Sequence, residues 1–405
     1  MSGIKDIQTG DTERFALLPY SQLVFDMMLT EPDVYWFRFD LRLDLSSADR
    51  IAQALQQVLR AHAVFSMEVD DDGMQHLVPK QDIFHGQYHS FDFIEEGGKM
   101  VLRVAYNRIL FDGLSGIIIA EEVLRAYQGM PLETDGYVDY LRATEESKQT
   151  ERYARSKQWL ESEFGGIKGE MVHPKTDTPI VGAFIAHEGV LTEDYTDLNA
   201  QMSRLAHEQL VSATGLFSLC AALAIMSYNA QDEAALTWAY NGRESEAEQH
   251  IVGSLHRDIP LKIRVNTECS ATEQRTVIAA LSEQAIRSER LKLFKQLRRQ
   301  MREGIVHSNY PYTLTRPNTQ LWNYAVNVLV QPTMSDVSEV VPFDFELIEP
   351  TNAEPAKAYS LLDIELYDES CFTVVYRYSA THYKEESIRK YAALVRQYVE
   401  WLLTD

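Results

Sequence analysis

The sequence has few cysteines, and it has no long apolar run. Its 405 residues include only Cys220, Cys269 and Cys371, which are widely spaced and mostly set in apolar surroundings. An odd, scattered set of this kind indicates buried free thiols and excludes a disulfide framework or a zinc knuckle. No apolar run approaches the roughly 18 residues of a membrane span, and residues 1–11 lack the apolar core of a signal peptide. We therefore expect a cytoplasmic protein.

Basic residues are also scarce relative to acidic ones. There are 38 Lys and Arg against 60 Asp and Glu, which gives a net charge of −22. Such an acidic chain is not expected to bind nucleic acid or an anionic membrane as its main partner. Hydrophobic residues make up 45% of the chain, enough for large buried cores. We expect a monomer of two lobes, 1–170 and 171–405, with the boundary in the weakly periodic stretch 167–185.

The common catalytic signatures are missing. The sequence contains no Gly-x-x-x-x-Gly-Lys, Gly-x-Gly-x-x-Gly, Gly-x-Ser-x-Gly or His-Glu-x-x-His motif. His85 and His89 lie four residues apart, but no third ligand is evident nearby, and zinc needs three or four. We therefore expect no metal site.

Hydrophobic patterning predicts an α/β (α+β) fold in which two halves each have a mixed sheet flanked by helices. Residues 35–43 alternate between apolar side chains and Arg38, Asp40 and Arg42, which is typical of a strand with one solvated face. The apolar run 216–226 predicts a buried helix. Residues 137–164 read as one amphipathic helix, and Pro260 is expected to break the extended stretch 251–265.

One loop combines features of chemical interest. Residues 106–115 join a predicted strand, 100–106, to a predicted helix, 115–127. On spacing alone this is a β-turn, with Asp112 and Gly113 as the turn residues and Ser115 as the N-cap of the helix.

The surrounding sequence resembles the condensation domains of nonribosomal peptide synthetases over nearly the whole chain. The resemblance rests on the order and spacing of short motifs: Leu18-Pro19-Tyr20-Ser21-Gln22, Arg60-Ala61-His62-Ala63-Val64-Phe65, Tyr137-Val138-Asp139-Tyr140, Gln158-Trp159-Leu160, the stretch 215–243 that ends in Gly-Arg, 252–261, and 359–365.

This resemblance implies a chloramphenicol-acetyltransferase-like fold, with two lobes in a V and a tunnel between them. It implies no bound cofactor, and the substrates would arrive on the phosphopantetheine arms of carrier proteins. In the family, the signature His-His-x-x-x-Asp-Gly lies at the junction of the lobes. Its second His deprotonates or positions the acceptor amine, and its Asp generally pairs with an Arg of the second lobe.

The sequence departs from the family at this signature. Asn107 and Arg108 stand where the family has its two histidines, whereas Asp112 and Gly113 are retained. A guanidinium has no acceptor lone pair and a pKa above about 12, so Arg108 cannot be a general base near neutral pH. Further structural or tunnel candidates are Ser115, Arg243, His256 and Arg257. His256 could replace the missing base, and Arg257 stands where the family usually has Asn. Arg243 is the expected partner of Asp112, with a solvated turn arginine as the alternative.

Three interpretations of Arg108 stay open. It replaces the His structurally, by pairing with Asp112 or another carboxylate; or it orients a thioester or phosphate, so that acyl transfer runs on proximity alone; or the domain is a docking platform. Family members with His-Arg in this signature recruit oxygenases in glycopeptide synthetases. Whether the chain is an enzyme is therefore undecided by sequence.

The sequence thus predicts a condensation-domain-like protein that acts on carrier-bound acyl or peptidyl thioesters, with non-standard or lost activity. The alternatives are a silent domain that recruits a tailoring enzyme or a carrier protein, and an acyl-CoA-dependent acyltransferase on a small molecule. The basic stretch within 276–302 is either a solvated helix face or a carrier dock, in which Lys295 and Arg299 would share a face.

Overall fold

Helices and strands follow one another along the whole described part of the chain. The computed structural model describes residues 13–133, 135–180, 186–265, 283–311, 325–330, 345–348, 357–358, 360–368 and 372–404. The first elements are β1 (Arg14–Ala16), α1 (Pro19–Met28), β2 (Trp36–Leu43), α2 (Leu45–Ala61), β3 (Met67–Val69), β4 (Met74–Leu77), β5 (His85–Gly86), β6 (His89–Glu96), β7 (Lys99–Asn107), α3 (Gly113–Tyr127), α4 (Tyr137–Ser147) and α5 (Glu151–Phe164). The others are β8 (Ala186–Asp194), α6 (Thr196–Glu208), α7 (Ala213–Asn229), β9 (Glu233–Tyr240), β10 (Arg257–Arg264), α8 (Glu283–His307), β11 (Asn327–Val330), β12 (Phe345–Ile348), β13 (Lys357–Ala358), β14 (Leu362–Asp368), β15 (Phe372–Ser379) and α9 (Glu385–Leu403).

Two compact units share the chain, and each joins three segments. Unit 1 takes in Met1–Ser147, Asn241–His256 and Met334–Asn352, and unit 2 takes in Lys148–Tyr240, Arg257–Thr333 and Ala353–Asp405. The lobes expected at 1–170 and 171–405 are continuous stretches, whereas these units are not. The difference has a physical cause, because β12 pairs with β2 and the segment Asn241–His256 bonds to the loop before α3.

Unit 1 has an antiparallel five-stranded sheet in the order β12-β2-β7-β6-β5, and a smaller sheet in the order β1-β4-β3. The strand predicted over 35–43 is confirmed as β2, in which Phe39 pairs with Val104 and Asp40 pairs with Arg103 of β7; most of its side chains are half-buried on both faces. The apolar faces of α2 and α3 contribute to the core of this unit, where Val58 and Leu59 are fully buried. A mixed sheet was the expectation here, and the described strands are all antiparallel.

Unit 2 has a mixed seven-stranded sheet in the order β10-β9-β11-β14-β15-β8-β13, with β11 parallel to both β9 and β14. The predicted buried helix is confirmed by α7, in which every residue from 216 to 226 is at most 1% exposed. One of them is Cys220, whose free thiol has its pKa raised by burial. Cys269 and Cys371 lie outside the described residues, as do residues 276–282 of the predicted basic helix.

Two expectations about local structure were wrong. Residues 137–164 form two helices, because Thr150 accepts a hydrogen bond from the backbone of Tyr153 and starts α5 as an N-cap. Pro260 does not break its strand: β10 runs through it, pairing Pro260 with Thr237. Among the described strands β10 ends its sheet, and a strand at a sheet edge can leave the missing N–H of a proline unpaired.

No single described helix is long and apolar enough to cross a membrane, although α6 and α7, which meet at 100°, pass that test of length and composition as a bent pair. α7 is instead a core helix of unit 2.

Candidate functional site

The loop from β7 to α3 begins with Asn107, whose side chain closes the turn. Asn107 is fully buried. Its Nδ2 donates to the carbonyl of Val34 at 2.8 Å, and its Oδ1 accepts from the backbone N–H of Ile109 at 2.9 Å. The structure therefore places Asn107 in a local turn, with both ends of the amide used inside unit 1.

Arg108 lies among aromatic side chains of the same unit. Its Nη1 donates to the hydroxyl of Tyr20 at 3.0 Å, and its Cζ lies 4.8 Å from the ring centroid of Phe37 and 5.7 Å from that of Tyr35. Its backbone N–H donates to the carbonyl of Tyr35, a residue in the left-handed region with φ of 56°. Guanidinium groups are attracted to aromatic faces, so the hydroxyl and the two rings fix the direction of this side chain.

Asp112 starts α3. Its Oδ1 accepts from the backbone N–H of Ser115 at 2.9 Å, and the Ser115 hydroxyl in turn accepts from the backbone N–H of Asp112 at 3.2 Å. This reciprocal capping box satisfies two helix-end donors. The N-cap is therefore Asp112, and the expectation that Ser115 is the N-cap was wrong; Ser115 is the third residue of the helix, and Gly113 is the first.

Arg243 and Asp112 form a buried bidentate ion pair. Nη1 of Arg243 donates to Oδ2 at 2.8 Å and Nη2 donates to Oδ1 at 3.2 Å. The Arg243 side chain is 0% exposed, and the Asp112 side chain is 7% exposed. The same guanidinium donates to the carbonyls of Asn241 and Ile251. Of the two sequence-based alternatives for Arg243, the geometry is that of the partner and not of a solvated arginine.

The segment that carries Arg243 returns to the same carboxylate. The backbone N–H groups of Leu255 and His256 donate to Oδ2 of Asp112 at 3.0 and 3.3 Å. Asp112 therefore accepts six hydrogen bonds in all. The Ser115 hydroxyl also accepts from the backbone N–H of Gly253 at 3.1 Å. A carboxylate with this many donors holds its surroundings and has no acceptor capacity left for a substrate.

A tight turn makes this return possible. Gly242 has φ of 73°, and a Cβ added there would lie 1.9 Å from the carbonyl oxygen of Leu255. A positive φ favours glycine, and a Cβ could not tolerate this approach of the carbonyl, so Gly242 permits the path by which Arg243 and Leu255 both reach Asp112.

His256 and Arg108 both contact Tyr20, whereas Arg257 contacts a different part of the chain. The His256 ring lies 4.7 Å from the ring of Tyr20 at 70°, and Tyr20 is the residue that holds Arg108. Arg257 begins β10 in unit 2, where its Nη1 donates to the hydroxyl of Ser308 at 2.7 Å. The structure thus brings together Asn107, Arg108, Asp112, Gly113, Ser115, Arg243 and His256.

Lys295 and Arg299 lie on α8 and are both exposed. Nη2 of Arg299 is 3.9 Å from a carboxylate oxygen of Glu163, a distant surface pair. The face proposed from sequence is therefore open to solvent, on a helix of unit 2.

Two other titratable side chains near the loop are poor proton acceptors. Burial raises the pKa of Tyr106, which precedes Asn107, to about 12. Burial lowers the pKa of His89 to about 4, and its Nε2 bonds to the carbonyl of Ile83. The part of the loop that faces solvent can donate hydrogen bonds through Arg108, but neither Arg108 nor these two groups is a base suited to neutral pH.

Sequence reasoning missed the aromatic surroundings of Arg108. Tyr20 stood within one of the quoted motifs, and Phe37 was predicted on the apolar face of its strand. Nothing local indicated that both would meet residue 108, since the contact depends on three separate elements. Within the described residues, no group of three or more His, Cys, Asp or Glu side chains could hold a metal ion.

Solved structures share this fold. The X-domain from teicoplanin biosynthesis superposes with a TM-score of 0.71 at 16% identity, covering 98% of this chain and 96% of that one. The epimerization domain from the third module of tyrocidine synthetase B gives 0.70 at 16% identity, with 97% and 96% covered. The starter condensation domain of rhizomide synthetase gives 0.66 at 14% identity, with 96% and 94% covered.

No curated protein matches the chain in sequence. The sequence model of the condensation domain, in contrast, matches residues 91–405, which is well over half of the chain and includes the loop with Arg108 and Asp112. The predicted α/β class and the predicted resemblance are confirmed, and the chain belongs to the condensation-domain family.

Proposed function

We propose that this protein acts on acyl or peptidyl thioesters bound to carrier proteins in nonribosomal peptide or related natural-product biosynthesis, with the usual general base replaced by Arg108. The observation that carries the proposal is a contrast within one loop. The ion pair and the capping bonds that join Asp112, Ser115 and Arg243 are buried, whereas the position of the family's second His holds a guanidinium bonded to Tyr20. The scaffold of the site is kept and its proton acceptor is lost.

The residues present can bind and orient a substrate. Arg108 presents a planar guanidinium that donates to the Tyr20 hydroxyl through Nη1, and a group of this kind can donate to a thioester carbonyl or to the phosphate of a phosphopantetheine arm. A guanidinium near a developing oxyanion would stabilise it, while proximity supplies the rest of the rate. Substrates would be covalently held by the carrier, and no cofactor is required of the protein itself. Such chemistry suits a cytoplasmic monomer.

The test compares the native protein with Arg108→His. Each is mixed with a donor acyl-carrier thioester and an acceptor amine, and the amide is followed by mass spectrometry. We expect little product from the native protein and at least about tenfold more from Arg108→His, since a neutral imidazole can accept the amine proton. Arg103→His is the matched control, because Arg103 lies on β7 of the same unit, where it pairs with Asp40 at the surface and not with Tyr20.

The outcomes separate the alternatives. Robust condensation by the native protein would contradict the loss of ordinary activity. Turnover with acyl-CoA but not with the carrier thioester would favour a small-molecule acyltransferase. Equal rates for Arg108→His and Arg103→His, with carriers still bound, would show that the base is not what limits the reaction.

A second candidate is a silent docking domain, and the same contrast favours it: a site that keeps its fold without its base is suited to binding. The teicoplanin X-domain has been solved in a complex with OxyB. By analogy, this chain would recruit a tailoring enzyme or a carrier protein. Carrier binding measured by calorimetry, without product from either the native protein or Arg108→His, would support this candidate.

A further inference from the structure

A polar cleft in unit 1 is lined by none of the residues of the loop at 107–115. It is formed where the chain passes from β4 through β5 towards β6, and its volume is about 440 Å³, within the range of small-ligand sites. Its lining residues are Glu68, Val78, Pro79, Lys80, Gln81, Asp82, His85, Gly86 and Gln87.

Lys80 is the unusual member of this lining. Its side chain is only 8% exposed, and its Nζ has a single ion-pair partner among the described residues, Oε1 of Glu68 at 3.6 Å. That distance is beyond a good hydrogen bond, and no other described group accepts from this ammonium. A buried ammonium with three donors is costly unless acceptors are supplied. The cleft therefore presents a mostly buried cation whose donors are available to an anionic group.

Gly86 provides the space for this ammonium. A Cβ added at Gly86 would lie 2.9 Å from Nζ of Lys80 and 2.2 Å from Cε1 of His89. The lysine head group therefore occupies a position that another residue at 86 would obstruct. The charge of Lys80 also contributes, after burial, to the lowered pKa of His89, which agrees with an ammonium directed into the protein.

The walls of the cleft are fixed in place. The side-chain amide of Gln87 accepts from the backbone N–H of Val69 at 2.8 Å and donates to its carbonyl at 3.0 Å. Asp82 accepts from Nδ1 of His85, and Asp92 accepts from Nε2 of the same ring, at 2.7 and 2.8 Å. Pre-formed walls reduce the ordering cost of binding a small molecule.

The charges select one class of ligand. Lys80 repels a simple cation, and the carboxylate of Glu68 repels a simple anion, while the carboxylate of Asp82 is already paired with His85. A ligand that carries a negative and a positive charge a few ångströms apart can pair with Lys80 and Glu68 at once. Glu68 is 41% exposed, so its carboxylate can turn from the lysine to the ligand while the ligand's own carboxylate takes its place. Val78 and Pro79 offer an apolar wall for a side chain.

We propose that this cleft binds a free α-amino acid, with its carboxylate on Lys80 and its ammonium group on Glu68. This site is independent of the function proposed for the loop at residues 107–115.

The test titrates the full chain with each of the twenty common amino acids by calorimetry, followed by the methyl ester and the N-acetyl derivative of the best binder. We expect at least one amino acid to bind, and Lys80→Met and the methyl ester each to weaken binding at least about tenfold. Lys99→Met is the matched control, because Lys99 is an exposed lysine of the same unit that pairs with Asp44, and it should bind as the native protein does.

Two further variants keep the proposal falsifiable if Lys80→Met folds poorly. Glu68→Gln should bind the free amino acid and its N-acetyl derivative equally, because the partner of the ammonium group is gone. Gly86→Ala should weaken binding without removing a charge, because its Cβ would displace both Lys80 and His89. The proposal is overturned if no amino acid binds at concentrations up to about 50 mM, a limit chosen well above ordinary ligand dissociation constants. It is also overturned if the ester binds as tightly as the acid, or if inorganic phosphate or acetate binds with the same dependence on Lys80.

Discussion

Asp112 uses both carboxylate oxygens to hold three parts of unit 1: the first turn of α3, the guanidinium of Arg243 and the backbone at residues 255 and 256. At the scale of single residues, a substitution of this carboxylate should lower the free energy of unfolding most. Removing one partner from a buried ion pair leaves the other charge buried and uncompensated, which is far more costly than losing a surface pair.

Asp112→Ala should therefore lower the free energy of unfolding by about 3–5 kcal/mol, the usual range for a broken buried pair. The measurement is chemical denaturation followed by tryptophan fluorescence. Asp40→Ala serves as the control, since Asp40 pairs with Arg103 at the surface and should cost less than about 1 kcal/mol. A loss for Asp112→Ala no larger than that of the control would show that the network contributes little to stability.

The pH dependence of stability should depend on His89. Burial lowers the pKa of its ring from 6.5 to about 4, so the folded protein binds fewer protons than the unfolded chain between these values. The stability contribution is present above pH 6.5 and is lost as the pH falls towards 4, by up to about 3 kcal/mol. Unfolding free energies at pH 7, 6 and 5 should fall less steeply in His89→Gln, which keeps a donor for the carbonyl of Ile83.

His85 is the matched comparison for this prediction, because the sign is opposite. Hydrogen bonds to Asp92 and Asp82 raise the pKa of His85, so its contribution is present below its unfolded pKa and is lost as the pH rises. The ring is half exposed, and the effect should be small. If His89→Gln had the same slope as the native protein, or if His85→Gln flattened the acid slope instead, the assignment to His89 would be wrong.

Individual residues differ in how far sequence could predict them. Arg243 was found as the partner of Asp112 because the resemblance supplied both positions. Asn107 was expected only as a replaced catalytic residue, and its turn-closing bonds to Val34 and Ile109 depend on how the backbone folds back, which residue type does not reveal. The neighbours of Arg108 come from α1 and β2, and no local pattern joins these segments.

At the scale of elements, the hydrophobic pattern was a good guide where an apolar run or a clear alternation is present, and a poor one elsewhere. The apolar run 216–226 lies in the buried helix α7, and the alternating stretch 35–43 contains the strand β2. β8 was missed, because its sequence Ala186–Asp194 shows no clear alternation and the strand is held by pairing with β15. Pro260 was misjudged for a related reason: its tolerance depends on the place of β10 in the sheet, which is a tertiary property.

The exposed basic face of α8 carries the prediction at this scale. Lys295→Glu combined with Arg299→Glu should weaken the binding of an acidic carrier protein by about tenfold or more, because two favourable charges become repulsive. The measurement is calorimetry at physiological ionic strength. Arg389→Glu with Lys390→Glu on α9 is the matched control, since those residues are also exposed and pair within their own helix. Equal affinity for the two double variants would exclude α8 as the dock.

At the scale of the whole molecule, the division into units is the feature that sequence could least predict. Residues 241–256 belong to unit 1 although the chain on both sides belongs to unit 2. The reason is the hydrogen bonding of that segment to Asp112 and Ser115, more than a hundred residues earlier in the chain. Contacts between residues so far apart in the chain produce no periodic pattern in the sequence. A single boundary near residue 170 was therefore the simplest expectation.

The net charge of −22 acts at the same scale and opposes the attraction of α8 for an acidic carrier. The two effects have different ranges, because the Debye length is about 30 Å at 0.01 M salt and about 8 Å at 0.15 M. Salt should first screen the long-range repulsion between two acidic proteins and leave the local contact largely intact. The association rate constant, measured by stopped flow, should therefore rise by a few-fold between these concentrations. The Lys295→Glu, Arg299→Glu variant should rise more steeply, since it has only repulsion to screen. A rate constant that falls with salt in the native protein would show instead that the local basic face, and not the overall charge, governs the encounter.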